Sequence, residues 1–159
     1  LKVTTLPEAN EKGEETMGVL LDFHEKKRHK QIAFERRALQ DLSYEKIERA
    51  TRHYFKPLLT TISTNDGIAV EMCAEYALEA FLMGATMGKY GFRGEKRAHV
   101  FNRCGHEYGQ LLEEFCDFWN FWSAGKLQQE AATICAAYLR DWWNEGFDTS
   151  IRRWKMKLY

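Results

Sequence analysis

The strongest constraint on this fold is a run of seven residues, Phe101, Cys104, Tyr108, Leu111, Phe115, Phe118 and Trp122, spaced by three or four positions throughout. That is the period of one face of an α-helix, whereas a half-buried strand would alternate every second residue. The seam extends over three heptads and needs a second helix against it. Turn-forming residues are scarce as well: 11 glycines and 2 prolines in 159 residues are too few for a many-stranded sandwich or barrel. The expected fold is all-α, a single-domain bundle of about five helices with an aromatic-rich core. A chain of this length buries enough surface to hold that core without a metal or a disulfide.

Residues 1–16, with Pro7, Gly13 and four glutamates, lack apolar periodicity and read as a flexible tail. This segment need not be native, since Met17 could itself be the start; the bundle domain is taken as 17–159. The first helix is expected from Val19 to about Leu42 on propensity. The second starts at a Ser43 N-cap and is ended or kinked by Pro57. Asn65 or Asp66 caps a third helix, Gly67 to Tyr90, whose charges before Lys89 are Glu71, Glu75 and Glu79. These leave most of its circumference apolar, so it should be central. Ala80, Gly84 and Gly88 recur every four residues on it, a groove of small side chains that lets another helix backbone come close. After a glycine turn at 90–94, the fourth helix runs from about Glu95 to Ser123. The fifth runs from about Lys126 onward, with a kink or break at Gly146. The fourth and fifth should pack antiparallel.

Bases and acids balance at 23 each, which removes any global attraction to nucleic acid or anionic membrane. Locally, residues 17–60 carry 10 bases against 6 acids and 126–159 carry 6 against 4. Lys26, Lys27, Arg28, Lys30, Arg36 and Arg37 could contact an acidic partner. Glu25 and Glu35 interrupt them and no aromatics are interleaved for base stacking, so nucleic acid is not expected. No apolar run reaches membrane-spanning length and no secretory signal is visible. Four cysteines without a C-x-x-C pair read as buried free thiols of a cytoplasmic protein.

No catalytic motif is complete. Carboxylates one turn apart on a bundle helix are how di-iron sites begin, but those sites also need Glu-x-x-His pairs. The residues three before His24, His29, His53, His99 and His106 are Leu21, Lys26, Ala50, Lys96 and Arg103, none of them acidic. No metal, cofactor or catalytic residue is therefore expected. A pocket formed by Glu71, Glu75, Glu79, His99 and His106 remains the candidate site for a small molecule or an enzyme; the plainer alternative pairs those glutamates with Arg97 and Arg103. Phe118, Trp119, Phe121, Trp122, Trp142 and Trp143 place large rings on more than one helix face. Either their helices are interior or these rings meet a protein partner or a second copy of the chain. A non-catalytic interaction or regulatory module is the leading expectation.

Three stretches, VLLDFHEKKRHKQIAFERRAL (19–39), AFLMGATMGKYGFRGE (80–95) and DWWNEGFDTSIRRWKMKL (141–158), resemble a domain-of-unknown-function family of small intracellular proteins from Bacillus-type bacteria. The resemblance covers about 17–159. It implies a cytoplasmic location and carries no functional residues.

Overall fold

The computed structural model describes residues 9–40, 42–62 and 66–157, with side chains from His24 onward. Among them are seven helices: α1 (Ala9–Leu39), α2 (Tyr44–Tyr54), α3 (Lys56–Leu59), α4 (Asp66–Phe92), α5 (Arg97–Arg103), α6 (Gly105–Trp122) and α7 (Gln128–Lys155). The all-α class and the aromatic core hold, while the count of about five is corrected by two breaks. Pro57 has no N–H to continue α2, so the chain restarts as α3 with Pro57 in its first turn. The expected 95–123 helix is interrupted at Cys104, φ −103° and ψ 18°, which ends α5 and begins α6. Gly105 and Gly109 weaken helix propensity just after that break.

The chain divides into two units, Leu1–Arg36 and Arg37–Tyr159. This boundary falls inside α1. Of the expected tail, residues 1–8 lie outside the described residues, and α1 begins at Ala9 rather than Val19. In the first unit, residues 24–30 are all exposed, as their lack of apolar residues predicts, and Gln31 Nε2 donates to Glu35 Oε1 at 3.1 Å.

The second unit is organised by α4 and α7. Tyr138 OH donates to the Cys73 carbonyl at 3.2 Å, and further along a Cβ built on Gly146 would overlap the Phe81 carbonyl. Close by, a Cβ on Gly84 would overlap the Trp143 carbonyl, and farther on one on Gly88 the Ser150 side chain. From Cys73–Tyr138 to Gly88–Ser150 both helices advance, so the pair runs parallel. Gly84 and Gly88 sit at the contact, as the small-residue groove predicts. Gly146 supplies the matching hollow on α7, which continues through it without a break.

Helix α2 lies antiparallel to this pair. Ser43 accepts from Lys46 N–H at 3.1 Å as the expected N-cap, Lys46 reaches Glu145, and Thr51 reaches Tyr138. Asn65, one of the caps expected for the third helix, lies outside the described residues. On the other side α5 and α6 run back along α7: the Phe101 ring meets Trp143, Tyr108 OH donates to the Ala136 carbonyl, and the Phe115 ring meets Tyr138. The antiparallel relation expected of the last two long helices is thus present. The longest helices of this unit, α4 and α7, are brought together by glycine.

Phe55, between α2 and α3, is a plug for the core. Its ring stacks on Trp119 at 4.7 Å and meets Phe115 and Tyr138 edge-on. The fully buried Trp119, Trp143, Tyr138, Phe55, Phe81 and Phe115 each remove a large apolar surface from water, worth roughly 1.5–3 kcal/mol per side chain. On α6 the buried face is Cys104, Tyr108, Leu111, Phe115 and Trp119. The expected seam is corrected at its end, where Trp119 is buried while Phe118 and Trp122 are half-buried. At about 100° per residue Trp122 keeps the direction of Cys104, but it is the last residue of α6.

Candidate functional site

The structure separates the five residues of the expected pocket. Glu71, Glu75 and Glu79 are exposed on α4. Their charge neighbour is Glu114 on α6: burial pushes the Glu79 carboxyl above the ordinary carboxylate range, and Glu114 and Glu75 push the same way. Tyr76 is raised by the same surroundings, burial first and then Glu114, Glu79 and Glu75. His99 and His106 are exposed, at the start of α5 and of α6. His106 precedes Glu114 by two turns, about 12 Å along the axis, so the histidines do not join the glutamates. Arg97 and Arg103 do not neutralise them either: Arg97 pairs with Asp148 and Arg103 with Glu95, both at 2.6 Å. Among the described residues no three His, Cys, Asp or Glu side chains converge as metal ligands would.

The expected aromatic interaction surface is divided in the same way. Trp119, Trp142 and Trp143 are buried within the unit, because α7 is interior and receives neighbours on both of its apolar faces. Phe118 and Trp122 are half-buried and lie 5.7 Å apart. Phe121 remains outside at 85% exposure, and Leu127 is 40% exposed. Both flank a turn of unusual backbone. Ala124 N–H donates to the Phe121 carbonyl and Gly125 N–H to the Asn120 carbonyl, the hydrogen-bond pattern that closes a helix with a left-handed residue. That residue is Ala124 at φ 53°, followed by Gly125 at φ 74° and Leu127 at φ 55°. A left-handed non-glycine residue costs roughly 1–2 kcal/mol.

The basic residues expected to contact an acidic partner, Lys26, Lys27, Arg28, Lys30, Arg36 and Arg37, are all exposed along α1. A second basic group was legible only in pieces. Because α4 and α7 are parallel, their C-termini meet, bringing Lys89, Arg93, Lys96 and Arg97 to the same end as Arg152, Arg153, Lys155 and Lys157.

A groove between α2 and α7 was not foreseen. It encloses about 150 Å³ and is lined by Lys46, Ala50, Tyr54, Asp141, Trp142 and Glu145. Tyr54 OH donates to Asp141 Oδ2, Lys46 Nζ lies 2.7 Å from Glu145 Oε1, and burial raises the Asp141 carboxyl. Its polar groups are 87 and 99 positions apart in the chain, so no local motif could announce it.

The thiols are poor nucleophiles. Burial is the main cause that raises Cys73, Cys104, Cys116 and Cys135, and a protonated thiol is unreactive. Burial also pushes the Tyr108 phenol up to about 12. Tyr138 and Thr51 share their hydroxyl protons among each other, the Ile47 carbonyl and the Cys73 carbonyl, which places this buried network in the framework rather than in a reaction site. No described helix is long and apolar enough to cross a membrane.

Comparison with known proteins extends the sequence resemblance. The uncharacterized protein YbaK of Bacillus subtilis (strain 168) is 27% identical over 150 residues, covering 89% of this chain and 99% of that protein. No solved structure matches. A family model described as protein of unknown function (DUF2521) matches residues 17–159, the span over which the resemblance was drawn, and the chain belongs to that family.

Proposed function

We propose that this chain is a non-catalytic, cytoplasmic interaction module that binds a protein partner, or a second copy of itself, through the turn between α6 and α7. The carrying observation is Phe121, a large aromatic side chain 85% exposed beside a turn held in left-handed backbone. An isolated apolar residue on a surface is ordinary. Phe121 differs in its setting: the half-buried Phe118 lies one turn before it, the half-buried Trp122 follows it directly, Leu127 lies beyond the turn, and the connecting backbone carries two left-handed non-glycine residues. Aromatic anchors of this kind dominate binding energy at protein interfaces, and strain persists where the surrounding structure holds it for a purpose.

The test is Phe121→Ser in the full chain. Stability should change by less than about 0.5 kcal/mol, since the ring is already in water. Sedimentation at high micromolar concentration should lose any self-association, and affinity capture from the native cell should lose its partner. Capture unchanged by the substitution rejects this face.

A second reading rests on the groove between α2 and α7. Paired polar groups beside Trp142 are the features of a small-ligand site. Metabolite-dependent thermal stabilisation that is lost in Asp141→Asn would favour it over the interaction module.

A further inference from the structure

We propose that the end of the bundle where α4 and α7 terminate together docks on an anionic lipid surface. Seven cations gather at the surface there, Lys89, Arg93, Lys96, Arg97, Arg152, Lys155 and Lys157, with Arg153 buried beneath them, against two acids, Glu95 and Asp148. Both acids are occupied, Glu95 by Arg103 and Asp148 by Arg97. Arg93, Lys96, Lys155 and Lys157 are exposed.

Helix dipoles account for part of this charge. Lys89, Arg152, Arg153 and Lys155 lie in the last turns of α4 and α7, where cations are favoured. They do not account for Lys96, the N-cap of α5, a helix with no acid in its first turn. A cation at a helix N-terminus opposes its dipole; Arg97 beside it is answered by Asp148, whereas the exposed Lys96 faces solvent.

The apolar residues at this end indicate what that is. Phe92 is 46% exposed and Met156 59%, and the Phe92 ring stacks on Trp154 at 6.1 Å and 21°, tying the two helix ends together. Aromatic and apolar side chains ringed by lysine and arginine suit the boundary between headgroups and acyl chains of an acidic bilayer. A nucleic acid would use the cations but not Met156, and the mutual stacking already occupies one face of each ring. The attachment is peripheral and electrostatic.

The full chain should float with vesicles of equimolar phosphatidylglycerol and phosphatidylcholine at about 0.1 M salt, and not with phosphatidylcholine alone. Arg93→Gln, Lys96→Gln, Lys155→Gln and Lys157→Gln should each lower the partition coefficient about five-fold. Met156→Ser should weaken vesicle binding while leaving binding to single-stranded RNA unchanged. This side chain is largely in water, so helical circular dichroism and the thermal midpoint should stay at wild-type values; Lys155→Gln supplies a second variant at an exposed position. Absence of flotation on anionic vesicles overturns the proposal, as does flotation indifferent to the four charge substitutions. RNA binding tighter than vesicle binding and indifferent to Met156→Ser would reassign the surface to nucleic acid.

Discussion

The two ends of the Arg37–Tyr159 unit close their helices by the same hydrogen-bond pattern with different residues. Where α4 ends, Gly94 N–H donates to the Gly91 carbonyl and Glu95 N–H to the Tyr90 carbonyl, with Gly94 at φ 101° in the left-handed position. Where α6 ends, the equivalent position is Ala124. At the basic end α4 is closed by glycine; at the other, apolar end α6 is closed by Ala124, with Phe121 in solvent. The basic end has its own departure from glycine, since Lys157 beyond α7 lies at φ 56°, so turn geometry alone does not select the residue at either end.

Gly146→Ala would break the comparison outright, because the separation of the two ends depends on the parallel pair. The added methyl meets the Phe81 backbone carbonyl, which cannot swing aside as a side chain could. Destabilisation of about 3 kcal/mol or more is expected in denaturant unfolding. A wild-type midpoint would mean the two helices are not in this contact.

Mirror substitutions at the two turns sharpen it. Gly94→Ala should cost about 1–2 kcal/mol; a Cβ there meets no atom within 4 Å, so the loss measures backbone alone. Ala124→Gly should stabilise by about 1 kcal/mol, a gain that also reports on strain. Equal and opposite changes in thermal midpoint would show that the turns differ only in their left-handed residue.

The smallest effect is expected between the ends, at Glu79. A carboxyl whose pKa is raised on folding contributes stability that is present below its unfolded pKa and is lost as pH rises through the folded one. Glu79→Gln should therefore be slightly more stable than wild type at neutral pH. The difference should vanish on acidification below the ordinary carboxylate range, as a pair of pH-dependent melting series would reveal.

How much of this was legible in the sequence follows from which contacts are local. The Ser43 cap, the Pro57 break and the glycine repeat of α4 depend on neighbours within a turn or two, and all three were readable. The break at Cys104 was hidden because the apolar spacing continues across it. The burial of Trp142 and Trp143 was ambiguous for a different reason: two apolar faces on one helix fit an interior helix and a subunit interface equally well, and only the positions of α2, α4 and α6 decide between them. The groove of Lys46, Tyr54, Asp141 and Glu145 arises from the packing of α2 on α7, and the gathering of cations at one end from the parallel register of α4 with α7. Both are properties of the whole topology, and no window of sequence contains them.

The same register governs how the chain can fold. Cys73 and Tyr138 are 65 positions apart, and Phe81 and Gly146 are separated by the same interval. The tightest helix pair thus demands closure of a long loop before it yields any stabilisation, whereas α5, α6 and α7 can zip together through nearer contacts. During synthesis α4 must wait with its small-residue face uncovered until α7 has been made. That interval is when the apolar surface of this protein is most open to misassociation.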